Sequence, residues 1–231
     1  MCNSSDPNDT RLRSSIMVQS ATTTLIVDAT PDFRYQMLRE NVRHIDAILL
    51  THSHKDHVAG LDDTRAFQFI SHKPTEIYGN GMSLEGVRIE IPYSFQQTQY
   101  HSIPKVNLHE VSLEPFIIGD ISVIPILVWH HKMPVYGYRF GGFTYITDAN
   151  RIDDCEKKKI MGSKVLVLNA LRNEPHISHF TLQQAIDLVR ELRIPTAYFT
   201  HVSHQLGLHK VVNGVLPKGI ALAYDGLKIE I

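Results

Sequence analysis

The sequence predicts an α/β protein in which helices are layered on β-sheets within a single domain, residues 1–231. β-rich runs and helical patterns alternate along the chain, and no low-complexity linker or internal repeat separates them. The chain has 231 residues and is 43% hydrophobic, so it can bury a sizeable core. This length is compatible with one large domain or two small ones, and we expect one.

The first half of the chain begins with strands. The β-rich runs at residues 15–18 and 23–27 predict a hairpin. Residues 45–51 form a nearly continuous apolar run, which predicts a strand buried on both faces. Pro31 suits a first helical turn and precedes apolar residues at helical spacing, so a helix is predicted over 31–40. Further predictions are helices at 62–70 and 82–89 and a strand at 76–78.

The second half combines hairpins with strand and helix alternation. Two strands are predicted within 117–129, broken at Gly119-Asp120, and a hairpin joins 136–140 to 143–147 through Gly141-Gly142. Residues 181–192 carry one apolar stripe at helical spacing, which predicts a helix. The remaining predictions are a helix at 153–161 and strands at 164–169, 196–200, 220–224 and 227–231.

Composition argues against two classes of partner, nucleic acids and membranes. A net charge of −1 and a pI near 6.9 provide no general field for gathering nucleic acid or an anionic membrane. The longest apolar stretch, residues 121–129, is too short to span a bilayer. The two cysteines, Cys2 and Cys155, stand far apart, so no disulfide framework is expected. We therefore predict a cytoplasmic protein that does not bind membranes and is not expected to bind nucleic acid.

A dense group of potential metal ligands follows the buried strand at 45–51. His52, His54, Asp56 and His57 are four such residues within six positions. Strand ends are where open α/β sheets place ligands, and imidazole with carboxylate suits Zn, Mn or Fe. The alternative interpretation is a solvated loop that happens to be rich in histidine. Two cations a few Å apart would also need a bridging carboxylate, so further ligands should come from later strand ends.

Three later residues meet this requirement. His130, Asp148 and His201 each follow directly on a strand-like segment. Taken singly, each is equally well explained as a capping or turn residue. Taken with the first group, the set favours a metal centre.

The order of these residues resembles the metallo-β-lactamase superfamily, whose hydrolases carry H-x-H-x-D-H followed by a His, a bridging Asp and a final His. The resemblance implies an αββα sandwich that binds two divalent metal ions, Zn or Mn, with Fe also compatible. It implies the following ligands: His52, His54 and His130 on one metal, Asp56, His57 and His201 on the other, and Asp148 bridging.

Within that superfamily the chain resembles the PhnP-like phosphoribosyl cyclic phosphodiesterases. The motifs that carry this resemblance are Arg11-Leu12-Arg13-Ser14-Ser15, Asp28, residues 51–63, His130-x-Lys132-Met133, residues 145–148, Ser178-His179 and residues 200–205. Members normally start with a glycine-rich strand and a cysteine cluster that can hold structural zinc. This sequence starts at only the last of those cysteines, Cys2, which makes a structural zinc doubtful and leaves open whether the family's first strand and cysteine cluster precede it.

The resemblance also suggests roles around the metals. The predicted catalytic residues are Asp56 and His179, with His179 as the general acid that protonates the leaving oxygen. The predicted substrate-binding residues are Lys132, His176 and His204, and His176 is also the reserve general acid. For Lys132 and His204 a solvated surface position is an equally good interpretation, as it is for His209. His131 is the neighbour that the family pattern does not select, and Asp28 either orients a ligand or forms a turn.

We therefore expect a metal-dependent phosphodiesterase that acts on a small cyclic or diester phosphate through a metal-bridging hydroxide. Hydrolysis of a thioester, lactone or lactam is the alternative that the same metals allow. Processing of tRNA 3′ ends is a third hypothesis, weakened because no basic tract is visible. An inactive metal-stabilised scaffold is the fourth, disfavoured because the ligand set is complete. The sequence does not choose the metal or the oligomeric state, and a homodimer is compatible with it.

Overall fold

The computed structural model describes residues 3–96 and 102–231, and these fall into two units. The N-terminal unit is Arg13–Ser122, and the C-terminal unit joins residues 3–12 to Val123–Ile231. The single domain predicted over residues 1–231 stays a prediction. Cys2 lies outside the described residues. The described part of the chain contains no helix with the length and apolar character that crossing a membrane requires.

The N-terminal unit is built on a five-stranded sheet in the order β1-β2-β3-β4-β5. β1 and β2 form the predicted antiparallel hairpin, and the pairs from β2 to β5 are parallel. The elements are β1 (Ile16–Gln19), β2 (Thr24–Val27), α1 (Phe33–Arg39), β3 (Ala47–Leu49), α2 (Lys55–Val58), α3 (Arg65–Ser71), β4 (Thr75–Gly79), α4 (Gly81–Glu90), β5 (Val106–Glu110) and β6 (Phe116–Ile118). Short 3-10 helices lie at Leu61–Thr64 and Pro92–Phe95.

Burial of β3 explains where the histidine-rich segment lies. Ile48 of β3 pairs with Ile26 of β2 and Ile77 of β4, and all three side chains are fully buried. They share a core with residues of α1 and α4, among them Phe33 and Val87. The core covers β3, so the chain leaves the sheet only at the carboxyl end of this strand. The carboxyl ends of parallel strands are where α/β sheets bind their ligands. Residues 50–57 start there.

The C-terminal unit contains a second sheet with the strand order β12-β11-β10-β9-β8-β7. β7, β8 and β9 pair antiparallel, and β9 to β12 pair parallel. The elements are β7 (Ile121–His130, which starts at the boundary of the units), β8 (Met133–Phe140), β9 (Phe143–Ile146), α5 (Asp154–Ile160), β10 (Val165–Asn169), α6 (Leu182–Glu191), β11 (Thr196–Thr200), α7 (His209–Asn213) and β12 (Ile220–Leu222), with a 3-10 helix at Pro7–Asp9. Side chains of α5, α6 and α7 pack against this sheet in one core.

One predicted strand is wrong, and three elements were not predicted. Residues 227–231 form no strand in the described chain: the Leu227 amide closes a turn on the Tyr224 carbonyl at 3.2 Å, and Ile231 stays 60% exposed. Besides the short 3-10 helices, the elements that were not predicted are α2, β5 and α7, which have 4, 5 and 5 residues.

Helix α6 begins at a capping box. The Thr181 hydroxyl accepts the Gln184 amide at 3.2 Å, and the Gln184 side chain accepts the Thr181 amide at 2.9 Å. This pair satisfies two backbone donors that the helix itself leaves unbonded.

We expect Thr181→Ala to lower the free energy of unfolding by about 1 kcal/mol, because the cap is lost while the buried face of α6 is kept. Urea denaturation of the two proteins measures the difference. Thr181→Ser keeps a capping hydroxyl and should remain within a few tenths of a kcal/mol of wild type. Equal losses in both variants would show that the cap contributes nothing.

Candidate metal centre

The N-terminal unit presents its four candidate ligands as two pairs. His52 follows β3 and is buried, whereas His54 is exposed at the start of α2. Their facing nitrogens, His52 Nε2 and His54 Nδ1, are 3.1 Å apart. Asp56 Oδ2 and His57 Nε2, both on α2, are 3.7 Å apart. Two ligands that each lie about 2.1 Å from one ion can be up to about 4.2 Å apart, so both pairs have a spacing that fits a shared metal ion.

Buried hydrogen bonds fix which nitrogen His52 and His57 present. The His57 Nδ1–H donates to Asp28 Oδ2 at 2.7 Å, and the Thr51 hydroxyl donates to the same oxygen at 2.8 Å. Because its proton is committed, Thr51 Oγ1 accepts from His52 Nδ1–H at 3.0 Å. His52 and His57 therefore both direct an unprotonated Nε2 away from this network, as metal ligation requires.

Asp28 is the centre of that network. It is fully buried, and its second oxygen accepts the Thr51 amide at 2.8 Å. Burial raises the pKa of the Asp28 carboxyl, while the hydrogen bonds that it accepts from His57 and Thr51 oppose that rise. Of the two roles considered for Asp28, the contacts favour the orientation of ligands.

The C-terminal unit brings its candidate ligands to neighbouring strand ends. His130 is the last residue of β7, Asp148 follows β9, and His201 follows β11. His201 Nε2 lies 3.1 Å from Asp148 Oδ1, which also accepts the Thr147 hydroxyl at 2.7 Å. His130 Nδ1–H donates to the Ser178 carbonyl at 2.9 Å, so its Nε2 is the nitrogen left for a metal.

His179 lies among these ligands. Its ring centroid is 4.6 Å from that of His130 and 5.0 Å from that of His201. One ring nitrogen of His179, one ring nitrogen of His130 and one carboxylate oxygen of Asp148, all atoms that could bind a metal, lie within 4.8 Å of one another. The side chain is buried, and Nδ1 has no hydrogen-bond partner among the described residues. Burial lowers the pKa of His179 to about 3, against the opposing charge of Asp148, so the ring is neutral at pH 7 in the metal-free protein.

This pKa predicts how acid affects the metal-free protein. The folded-state pKa of about 3 is below the ordinary value of 6.5, so between those values the unfolded chain binds the extra proton. The contribution of His179 to stability is therefore complete above pH 6.5 and declines as the pH falls toward 3, by at most about 1.4 kcal/mol per pH unit.

Urea denaturation of the chelator-treated protein between pH 7 and pH 4 measures this slope, and His179→Gln should flatten it. His72→Gln, which removes an exposed histidine, should leave it as in wild type. Equal slopes for wild type and His179→Gln would contradict the prediction.

Three residues of the site have a left-handed backbone. Asp28, Asp148 and His201 have φ of 68°, 53° and 52°, which is uncommon for residues other than glycine. Each comes within two residues of the end of a strand. Such strain persists only where the surroundings enforce it, and it concentrates at functional sites. Two predicted ligands and the residue that orients His57 thus have a left-handed backbone, which in the described residues also occurs at Asn41, His72, His131 and Arg193.

The three predicted substrate-binding residues have different surroundings. His176 is half-buried with its ring centroid 5.0 Å from that of His179, and its Nδ1 accepts the Ser178 amide at 3.3 Å. Lys132 and His204 are exposed. The roles of all three as substrate contacts stay predictions.

His131 and His209 are two further histidines of the C-terminal unit. His131 is exposed at φ 58° in the turn between β7 and β8. His209 is buried, its Nδ1 faces the Arg11 guanidinium at 2.9 Å, and its amide donates to Asp9. These contacts give His209 a structural role within the C-terminal unit.

Sequence reasoning missed the threonines. The Thr51 hydroxyl hydrogen-bonds Asp28 and His52, and the Thr147 hydroxyl donates to Asp148. Thr200 likewise comes directly before His201 in the sequence. A threonine directly before a ligand at three strand ends was a signal that the sequence contained.

Comparison with known proteins identifies the family. Residues 23–202 match the Beta-lactamase superfamily domain, and the chain therefore belongs to the beta-lactamase superfamily. The prediction of the metallo-β-lactamase fold is confirmed, and with it the predicted membership of that superfamily.

Three relatives are more specific. A solved diphosphatase from the PhnP family is 40% identical, with a TM-score of 0.92, over 100% of this chain and 88% of that one. An octanoyltransferase of Porphyromonas gingivalis is 35% identical over 99% of this chain but 46% of its own length. A ribonuclease Z of Staphylococcus epidermidis is 27% identical over 49% of this chain and 38% of its own length. The chain thus spans less than half the length of these last two relatives.

The donor set of each unit fits divalent metal ions. Neutral imidazole nitrogens and carboxylate oxygens are ligands that Zn, Mn and Fe accept. The Nδ1 atoms of His57, His52 and His130 donate hydrogen bonds to Asp28, Thr51 and the Ser178 carbonyl, respectively, so Nε2 is the atom of each ring that can bind a metal. The geometry within each unit is therefore that of ligands already oriented for a metal.

Proposed function

We propose that the protein hydrolyses a small phosphodiester with two divalent metal ions. The observation that carries the proposal is the pairing of His52 with His54 and of Asp56 with His57, at 3.1 and 3.7 Å, in the order that the superfamily pattern requires. The resemblance adds His130 to the first pair and His201 to the second, and makes Asp148 the bridge. Zn and Mn are the metals proposed, and Fe is compatible with the same ligands.

The relative of the PhnP family supports phosphate chemistry, because it is 40% identical over the whole of this chain. That relative is described as a diphosphatase, which supports a second candidate, the hydrolysis of a diphosphate. A diphosphate and a phosphodiester both contain a phosphorus that is joined through oxygen to a leaving group, a phosphate in the first case and an alkoxide in the second. The same site can in principle attack either, and the leaving group is what differs.

The metal ions and the residues around them would have different roles in hydrolysis. Bound metal ions would lower the pKa of a water molecule and stabilise charge on the phosphoryl oxygens. Asp28 and Ser178 keep protons on the Nδ1 atoms of His57 and His130, which preserves their Nε2 lone pairs. His179, neutral in the absence of an anion, does not add a repelling charge beside the metals.

His179 is also the proposed general acid. A bound phosphate would raise its pKa, because a nearby negative charge favours the protonated ring. The proton would then pass from the imidazole of His179 to the leaving oxygen. His176, with its ring centroid 5.0 Å away, is the reserve candidate.

Metal analysis together with turnover assays tests the proposal. We expect about two metals per chain and hydrolysis of bis(p-nitrophenyl) phosphate that a chelator abolishes and added Mn or Zn restores. Turnover of pyrophosphate in place of the diester would favour the second candidate. A metal-free protein after purification and reconstitution would contradict both.

The two partial relatives supply the remaining assays. An octanoyl thioester tests acyl chemistry, which the octanoyltransferase relative suggests. A precursor tRNA tests the nuclease hypothesis, which the ribonuclease Z relative suggests. Two bound metals with turnover of either substrate, and none of a diester or diphosphate, would replace the proposed function.

A further inference from the structure

The two arginines of the Arg11-Leu12-Arg13-Ser14-Ser15 motif have different surroundings. The Arg11 guanidinium donates to the Ala223 carbonyl and faces His209 Nδ1, which explains it as an anchor of the C-terminal unit. Arg13 begins the N-terminal unit, and its side chain is 63% exposed. No hydrogen bond of the Arg13 guanidinium is found within the described residues. Arg13 has no role in the mechanism proposed above.

The backbone of Arg13 is held firmly although its side chain is exposed. Its amide donates to Asp32 Oδ2 at 2.8 Å, and its carbonyl accepts the side chain of Gln36 at 2.9 Å. Gln36 is itself buried and accepts the Thr30 hydroxyl at 3.1 Å. The first turns of α1 therefore fix the point from which the guanidinium extends.

The guanidinium extends to a predicted metal ligand. Arg13 Nη1 lies 4.0 Å from Asp56 Oδ2, the oxygen that is also 3.7 Å from His57 Nε2. An exposed ion pair of this length contributes little to stability, about 0 to 1 kcal/mol. A carboxylate that binds a metal has its charge offset, which leaves a guanidinium fork beside the metal with donors for another anion.

We infer that Arg13 binds a phosphoryl oxygen of the substrate next to the metal ligated by Asp56 and His57. The inference rests on the proposed function and names the residue that selects an anionic substrate at that site. Arg13 is well suited to the task because its planar fork can take two oxygens of one phosphate, which a lysine cannot do.

Inorganic phosphate is the probe for this inference, measured by isothermal titration calorimetry on the metal-loaded full chain. We expect Arg13→Ala to weaken phosphate binding about tenfold or more, the usual scale for a lost hydrogen bond between charged groups, and Arg13→Lys to recover only part of it. Metal content should equal that of wild type. Arg34→Ala, which removes an exposed arginine of α1, is the matched control and should bind phosphate as wild type does.

Each other outcome overturns the inference. Unchanged phosphate affinity in Arg13→Ala would show a surface ion pair without a role in binding. Loss of metal from Arg13→Ala would show that the arginine acts on Asp56 instead of on substrate, and a wild type that binds no phosphate would also refute it. Failure of the proposed function is distinguishable, because it is the absence of phosphoester turnover in wild type, whereas this test compares binding alone. If turnover is present, Arg13→Ala should raise KM for the diester about tenfold and change kcat less.

Discussion

Replacing Asp148 by alanine should lower kcat/KM by about a thousandfold or more. Asp148 is 2% exposed, lies 3.1 Å from His201 Nε2 and is the residue that the resemblance places between the two metals. A bridging carboxylate holds both cations in position, and their stabilisation of transition-state charge is worth several kcal/mol. Each 1.36 kcal/mol corresponds to about a factor of ten in rate.

The measurement combines steady-state kinetics on the diester with metal analysis and circular dichroism of the variant. Asp148→Ala should keep its secondary structure and bind fewer metal ions per chain. Asp187→Ala removes an exposed carboxylate from α6 and should retain the activity and metal content of wild type. Activity of Asp148→Ala within tenfold of wild type would refute the bridging role, and a change in stability alone would favour a scaffold.

Asp28→Asn should weaken metal binding about 10- to 100-fold, the usual cost of losing a group that orients a ligand. Asp28 Oδ1 accepts the Thr51 amide, and Oδ2 accepts from Thr51 Oγ1 and His57 Nδ1. Asparagine has only one oxygen, so in either orientation its NH₂ group meets a buried donor. The unsatisfied donors should also lower the free energy of unfolding by about 1 to 3 kcal/mol.

Competition with a chromophoric chelator measures the affinity, and urea denaturation of the metal-free proteins measures the stability. Asp46→Asn is a matched control within the same unit, since Asp46 accepts the Thr24 amide and pairs with His44 at 2.8 Å on the surface. It should change the metal affinity less than twofold. If Asp28→Asn and Asp46→Asn bound metal equally well, Asp28 would have no part in orienting His57.

Much of the fold could be predicted because its signals are local. The hairpin of β1 and β2, the buried β3 and the apolar stripe of α6 lie close to their predicted positions, since alternation and helical spacing reflect which face is buried. The start of α1 differs, at Phe33 instead of Pro31, because the Phe33 amide closes a turn on the Thr30 carbonyl before the helix begins. The predicted strand at 227–231 failed because an apolar pattern does not specify a covering neighbour.

The candidate site shows the same division. The sequence by itself determined the family and the identity of the candidate ligands, because His52, His54, Asp56 and His57 are adjacent in the chain and follow one strand. Only the tertiary structure decided which nitrogen His52, His57 and His130 present, that Asp28 holds His57, and that His179 is buried beside His130. Those properties depend on hydrogen bonds between residues that are distant in sequence and on the burial of side chains by such residues. The spacing of residues along the chain specifies neither the hydrogen bonds nor the burial.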